Sequence, residues 1–211
     1  MRKTPLGKAV EKAGRRAGKR TGDSAVARLT QEVDGVRRFR ADPPLLVPVP
    51  QADSARVEQD LTAVYAQYLA TLQPDRIALL MRFSYVDVAQ KVVGVGSVGT
   101  LALVLLLQTG DKEHLILQVK QATQSVLEPY LGPSEFGKSG KRVVVGQRVL
   151  QVVGDPLLGW SHSFGAHPFD FYVRQLQDMK GAIEPGDLDP DELSIYGQVC
   201  GAVLALSLIH I

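Results

Sequence analysis

Cysteine is nearly absent from this chain of 211 residues, since Cys200 is the only one. A single cysteine excludes an internal disulfide framework, and it also excludes a zinc site built from several cysteines. Cys200 lies in a stretch whose apolar residues recur at helical spacing, so we predict that its thiol is buried as a small hydrophobic side chain. The fold must therefore rest on an ordinary hydrophobic core.

Long hydrophobic runs are also missing. No apolar segment reaches the roughly 20 residues that a transmembrane helix needs, and the N-terminus lacks the apolar stretch of a secretory signal. Together with the single cysteine, these absences lead us to expect a cytoplasmic protein without a membrane partner. The hydrophobic fraction of 45% and the charged fraction of 22% are ordinary for a globular protein, and the length suits one domain or a small pair.

Acidic residues are scarce in the first 40 positions. This part carries 12 Lys or Arg and 4 Asp or Glu residues, a net charge of +8, whereas the remainder carries −6. A basic segment can bind nucleic acid or anionic lipid electrostatically, but no aromatic residue for base stacking precedes Phe39. We expect residues 1–50 to form a basic arm and a proline-rich linker, solvated or partly helical, and nucleic-acid binding is the weaker alternative.

The most informative feature is a glycine-rich turn, Gly94-Val95-Gly96-Ser97-Val98-Gly99. Its G-x-G-x-x-G pattern occurs in dinucleotide-binding folds, where a helix follows, and in protein kinases. Here two apolar runs follow, 101–107 and 115–119, with the turn-forming Thr109-Gly110-Asp111-Lys112 between them. Such runs around a turn predict a β-hairpin, although the first run alone would also fit a short helix. We predict the order strand, glycine turn, strand, turn, strand.

Lys120 ends the last of these strands. By alternation its side chain faces the side opposite to Leu117 and Val119. A kinase small lobe begins in the same order: glycines let the backbone approach the nucleotide phosphates, and a lysine on the third strand contacts the α- and β-phosphates. An ordinary tight hairpin with a solvated lysine is the alternative. The residues predicted to bind phosphate are Gly94, Gly96, Ser97, Gly99 and Lys120.

Two helices are predicted within residues 51–85. Apolar side chains recur at helical spacing over 54–72, and Pro74 opens a second helix that turns Ile77, Leu80 and Met81 inward. We expect these helices to be packing elements.

Residues 86–181 are predicted to form the β-rich domain. We expect a helix within 141–153, and a loop over 159–168 that is filled by Trp160, His162 and His167. The alternation over 169–176 predicts a strand. In the final domain, 182–211, the sequence Asp189-Pro190-Asp191-Glu192 predicts the start of a helix.

Further short segments are distinctive along the whole chain; they are Val33-Asp34-Gly35, Asp42-Pro43-Pro44-Leu45, 91–100, 117–120, 125–131, 146–148, 170–176 and 178–181. Together they are similar to a bacterial family catalogued as domain of unknown function 2252. That family resembles protein kinases and aminoglycoside phosphotransferases in a permuted order. The resemblance implies an α+β fold, in which a kinase-like small lobe is preceded by helices and followed by the first helix of a large lobe.

The resemblance implies that the complete protein binds ATP with Mg²⁺ and transfers phosphate to an unknown acceptor. Kinases hold their lysine with a glutamate from a nearby helix, and Glu128 is the first candidate, although Pro129 would cut its helix short. A solvated loop acid is the alternative for Glu128. A non-catalytic scaffold module with a kinase-like shape is the alternative function.

The family's G-D-x-H-x-x-N and D-F-D-E segments, which look like its catalytic and metal-binding loops, do not occur here. We therefore expect no catalytic residue, no metal ligand and no phosphoryl transfer by this chain alone. Residues 206–211 do not match the family's late helix, and we expect a fragment with a truncated large lobe; a genuine apolar end of the helix is the alternative. The apolar stripe of its last helix, which includes Val199, Val203 and Leu204, would then be exposed.

Overall fold

The structure is a computed structural model, and it describes residues 5–19, 21–49, 54–92, 99–151, 153–163, 168–176 and 182–208. Its helices are α1 (Pro5–Gly18), α2 (Gly22–Leu29), α3 (Ser54–Leu69), α4 (Pro74–Leu80), α5 (Glu128–Leu131), α6 (Ser139–Leu150) and α7 (Pro190–Leu208), with a 3₁₀ turn at Pro185–Asp187. Its strands are β1 (Thr30–Val33), β2 (Val36–Phe39), β3 (Leu46–Pro48), β4 (Phe83–Lys91), β5 (Ala102–Thr109), β6 (His114–Ala122), β7 (Gly159–His162) and β8 (Asp170–Gln175). Within these ranges, no helix has both the length and the hydropathy needed to cross a lipid bilayer.

An antiparallel sheet of six strands in the order β3-β4-β5-β6-β8-β7 lies at the centre, and β1 and β2 form a separate hairpin. The mixed α+β class predicted from the sequence is therefore confirmed. The predicted succession of three strands is confirmed as well, because β4 ends at Lys91, β5 starts at Ala102 and β6 follows a short turn.

The apolar run after the glycine turn is a strand that is covered on both faces. Leu105 and Leu107 point into one core, whereas Val104 and Leu106 point into another, and all four are buried. A run without visible alternation is typical of a strand that is buried on both sides. Each fully buried side chain of this kind contributes about 1.5–3 kcal/mol.

Helices α3 and α4 cover the first face of the sheet. Their side chains Tyr68 and Leu80 are fully buried against Leu117, Val119 and their neighbours. Helix α2 covers part of the second face, where it packs against Val104, Leu106 and Ile116. The buried residues that cover this second face are Val26 and Leu29 of α2 and Phe39 of β2, and Leu46 of β3 belongs to the same core.

Gly159 lets α3 approach the edge strand β7 closely. A Cβ at Gly159 would lie 2.8 Å from the ring of Tyr68. The hydroxyl of Tyr68 donates to the carbonyl of Leu157 at 2.7 Å, and the backbone N–H of Trp160 donates to the hydroxyl of Thr71 at 3.2 Å. These contacts fix the helix pair to the sheet.

The first 49 residues contain more regular structure than the basic arm and linker that the sequence predicts. Asp34 and Gly35 both have positive φ, 51° and 76°, as a type I′ hairpin turn between β1 and β2 requires. The hairpin is held to β4 by Asp87, whose carboxylate accepts the N–H of Phe39 at 2.7 Å and lies 3.6 Å from Arg38. A bulge between Tyr85 and Asp87 interrupts the register there.

Helix α1 contacts acidic residues before and within the first turn of α7. Lys12 lies 3.7 Å from Asp187, and the N–H of Leu6 donates to the carboxylate of Glu192. Glu192 also completes a capping box, because its own N–H donates to Asp189 at 2.9 Å. The helix start predicted at Asp189 is thereby confirmed.

One loop prediction and two side-chain predictions are wrong, and one prediction of exposure is confirmed. Residues 159–162 form β7 instead of a loop, and the ring of Trp160 lies 5.8 Å from the guanidinium of Arg148. Met81 follows the last turn of α4 and is 73% exposed, so it does not point inward. Cys200 is exposed, as are most of the side chains of α7, so its thiol is not buried as predicted. The predicted exposure of apolar residues on α7 is confirmed, with Val203 51% exposed.

Two glycines of α6 provide a direct test of how this helix packs. A Cβ on Gly140 would overlap with the carbonyl oxygen of Phe171 on β8, whereas a Cβ on Gly146 would meet no atom within 4 Å. We expect Gly140→Ala to lower the free energy of unfolding by about 1–3 kcal/mol through overpacking. The control Gly146→Ala should raise it by about 0.5–1 kcal/mol through helix propensity. Urea denaturation measures both, and equal effects at the two positions would contradict this packing.

Candidate functional site

The predicted phosphate site lies at the end of the sheet where the glycine turn joins β4 to β5. Gly94, Gly96 and Ser97 lie outside the described residues. Gly99 is described, and its φ of +84° falls in the left-handed region that suits glycine. The turn passes between two neighbouring antiparallel strands and not into a helix, so the connection differs from that of a dinucleotide-binding fold.

Lys120 lies near the end of β6, on the face covered by α2. It pairs with Ala102 on β5 and with Tyr172 on β8, so all three side chains project from the same face. The predicted alternation is confirmed, because Leu117 and Val119 belong to the opposite core. Lys120 is half-buried, and its strand β6 is separated from β4 by β5.

Lys91 is a second cation on this face, and the sequence analysis did not select it. It ends β4, where it pairs with Leu46, a member of the core on the same side as α2. Lys91 and Lys120 therefore flank the small side chain of Ala102, with backbones about 10 Å apart across two strand spacings. The signal was available in the sequence, because Lys91 stands three residues before Gly94 at the end of a predicted strand.

The surroundings of Lys91 are rich in positive charge. Burial lowers the pKa of Lys91, and the nearby guanidinium of Arg28 lowers it further, while Asp42 acts in the opposite direction. Arg28 belongs to the last turn of α2. The glycine-turn end of the sheet thus gathers Arg28, Lys91 and Lys120 beside one face, an arrangement that favours a bound anion.

Helix α2 covers the sheet next to this cationic end. Val104 on β5 and Gln118 on β6 form a cross-strand pair, and they are 0% and 6% exposed. Val104 packs against Val26 and Leu29 of α2. The Nε2 of Gln118 is buried without a hydrogen-bond partner among the described residues. Helix α2 therefore covers this part of the sheet.

Glu128 lies at the start of the single-turn helix α5, which contains Pro129. Its carboxylate accepts the N–H of Ser125 at 3.5 Å, and it lines a cavity of about 140 Å³ together with Lys138 and Arg142 at the start of α6. Helix α6 carries no acidic residue of its own. The structure places Glu128 beside the loop over 132–139, which joins α5 to α6. The pairing of Glu128 with Lys120 stays a prediction.

The same loop carries a pattern that the sequence analysis missed. Gly132-Pro133-Ser134-Glu135-Phe136-Gly137-Lys138-Ser139 matches G-x-x-x-x-G-K-S, the phosphate-binding loop of nucleotide triphosphatases. The structural context differs, because the helical turn α5 precedes the loop where a strand is required. In addition, the N–H of Ser139 donates to the carboxylate of Asp170 at 2.6 Å, so an acid already occupies the helix N-terminus. We assign the loop a structural role.

The resemblance to kinases implies that the strand over 169–176 leads to a hinge at Gln175 to Asp178, whose backbone would face an adenine edge. The N–H of Gln175 donates to the carboxylate of Asp155 at 2.7 Å, and the N–H of Leu176 donates to the carbonyl of Ile116 at 2.9 Å. Two of the backbone donors that would face an adenine edge are therefore already engaged. The rest of this hinge, 177–178, and Gly181, which would let it bend, lie outside the described residues.

Arg148 makes contacts within the fold. Its guanidinium donates to the carbonyl of Leu158 at 2.6 Å and lies over Trp160, so it ties α6 to β7. In the parts of the chain that the structure describes, no group of three or more His, Cys, Asp or Glu side chains is placed to hold a metal ion.

The comparisons with known proteins give one match. A family model described as "Uncharacterized protein conserved in bacteria (DUF2252)" matches residues 2–210. No curated protein and no solved structure matches the chain.

Two glutamines on β6 test whether the buried amide of Gln118 lacks a hydrogen-bond partner. Gln118→Met removes a buried amide whose Nε2 lacks a partner, so we expect the free energy of unfolding to rise by about 1 kcal/mol. Gln121→Met is the matched control, because the side-chain oxygen of Gln121 accepts the N–H of Leu101 at 2.9 Å; its loss should cost about 1 kcal/mol. Chemical denaturation gives both values. A clear loss of stability in Gln118→Met would show that this amide is satisfied.

Proposed function

Because the chain belongs to the DUF2252 family of uncharacterised bacterial proteins, we propose that it binds a nucleotide, ATP with Mg²⁺ in the complete protein, as part of a kinase-like phosphotransferase. The proposal is carried by one observation: the glycine turn joins two antiparallel strands, and Lys120 projects from the third strand of the same meander. A glycine turn and a third-strand lysine are the parts with which protein kinases hold ATP phosphates.

The charges at this end of the sheet support a phosphate ligand. Lys91 and Lys120 stand on either side of Ala102, so a chain of phosphates above Ala102 would meet an ammonium group at each end. Partial burial lowers the pKa of Lys91, and repulsion from the nearby guanidinium of Arg28 adds to that effect. A bound polyanion would relieve that repulsion, and Gly99 and its neighbouring glycines would supply backbone N–H groups.

Phosphoryl transfer requires more than phosphate binding. A carboxylate must orient the attacking hydroxyl, and acidic or amide oxygens must hold Mg²⁺. The chain contains neither of the two acidic segments that characterise the family, so we propose that it binds nucleotide without transferring phosphate on its own. Glu128 is the proposed partner of Lys120 when the ligand is present.

A second candidate function is a non-catalytic scaffold module, and one observation favours it. Val104 and Gln118 are buried beneath α2, where a purine would have to lie in the kinase analogy. A module with this packing would keep the shape of a small lobe while the base position is filled by its own helix.

A thermal-shift titration with Mg-ATP tests the proposed function. At a ligand concentration about 100 times Kd the expected stabilisation is about 2.7 kcal/mol, or a rise in Tm of roughly 5–10 °C for a chain of this size. Lys120→Met and Lys91→Met should each weaken binding at least tenfold, about 1.4 kcal/mol, because each removes one ammonium group from the phosphates. Lys112→Met is the matched control, since Lys112 lies in the turn at the opposite end of the β5–β6 hairpin.

Inorganic tripolyphosphate separates the two candidate functions from each other. If Mg-ATP and tripolyphosphate both leave the Tm of the chain unchanged, the scaffold function is favoured. If both stabilise the wild type but also stabilise the Lys120→Met variant equally, the phosphates bind elsewhere and the proposed site is wrong.

A further inference from the structure

A third cation, Arg174, lies on the face of the sheet that carries Lys120. Arg174 on β8 pairs with Gln118 on β6, and two residues further along these strands Tyr172 pairs with Lys120. Since alternate residues of a strand point to the same face, Arg174 and Lys120 project from the same side of the sheet. Diagonal neighbours of this kind lie about 7–8 Å apart, so these two long side chains can reach one ligand.

The guanidinium group of Arg174 lies close to the hydroxyl of Tyr172. Burial raises the pKa of that hydroxyl, and the nearby positive charge of Arg174 acts in the opposite direction. Tyr172 is the direct cross-strand neighbour of Lys120. The charge of Arg174 therefore stands beside the position proposed for the phosphates.

Arg174 is half-buried, and it forms no ion pair with any carboxylate that the structure describes. The acidic side chain on the same face of β8 is Asp170, which accepts the N–H of Ser139 at 2.6 Å. Removing a charge from water is unfavourable unless an opposite charge or hydrogen bonds compensate for it. An anion bound next to Lys120 would compensate the guanidinium group as well.

We propose that Arg174 is a further phosphate-binding residue of the glycine-turn site, and that it makes this site prefer a chain of three phosphates to shorter phosphates. The inference rests on the proposed function, because it assumes that phosphates bind above Ala102. Lys91 and Lys120 flank Ala102, and Arg174 adds a positive charge one strand further along the sheet. Two phosphates can meet both ammonium groups, whereas a third phosphate reaches the guanidinium group, whose planar fork binds phosphate oxygens in pairs.

Calorimetric titrations of the full chain with tripolyphosphate and with pyrophosphate measure this preference. We expect the wild type to bind tripolyphosphate at least tenfold more tightly, a difference of about 1.4 kcal/mol. Arg174→Met should bring the two affinities close together, mainly by weakening the binding of tripolyphosphate. Arg174→Lys should keep part of the preference, because it retains the charge and loses the fork.

Arg76→Met is the matched control, since Arg76 belongs to α4, which covers the opposite face of the sheet. This variant should leave both affinities unchanged. An equal loss of tripolyphosphate binding in Arg76→Met and Arg174→Met would show an effect of net charge alone, and it would contradict a specific role of Arg174.

A second measurement needs no variant. In the ¹⁵N-labelled wild type, the guanidinium Nε–Hε signal of Arg174 should shift during titration with tripolyphosphate, whereas that of Arg76 should stay in place. Should Arg174→Met fail to fold, this signal decides.

Three results would overturn the inference about Arg174 alone: equal affinities of the wild type for the two phosphates, an unchanged preference in folded Arg174→Met, and an unshifted Arg174 signal at saturating tripolyphosphate. The proposed function survives each of them, provided that Lys120→Met weakens phosphate binding. If the wild type binds neither Mg-ATP nor tripolyphosphate, the proposed function fails, and the inference fails with it.

Discussion

The pairing of β5 with a neighbour on each side is the constraint on which the rest of the structure depends. Its backbone is satisfied by β4 and β6, so its apolar side chains can be buried on both faces without exposing peptide groups. Leu105 then anchors the core beneath α3, and Val104 anchors the core beneath α2. Any other conformation of this run would leave one of the two helical layers without a surface to cover.

The alternation of side chains along each strand also determines on which face of the sheet the charged residues lie. On β6 it sends Leu117 and Val119 to one side, and it sends Gln118 and Lys120 to the other. The apolar core beneath α3 and the cationic end near the glycine turn therefore lie on opposite faces of the same strands. α2 lies on the cationic face, where its Arg28 meets Lys91 and its apolar residues cover the neighbouring strand positions.

The sequence predicted the central meander, the helix pair and the helix at Asp189, because their signals are local: periodicity, turn residues and a capping pattern. The hairpin at Asp34-Gly35 also has a local signal, the Asp-Gly pair itself, which is typical of a two-residue hairpin turn. β7 could not be predicted, since Gly159 and Trp160 become a strand only through pairing with β8 and contact with α3. The position of Arg28 beside Lys91 and the covering of Gln118 by neighbouring elements likewise depend on contacts between residues distant in sequence.

The most direct test of the central claim is a map of backbone amide shifts in the full ¹⁵N-labelled chain during titration with Mg-ATP. Phosphate binding at the glycine turn predicts that the largest changes fall on residues 91–102 and on 119–121. Changes concentrated at 132–142 would instead locate the phosphates at the start of α6. Such a result, or a spectrum that does not change at saturating ATP, would contradict the assignment of the site to the glycine turn and Lys120.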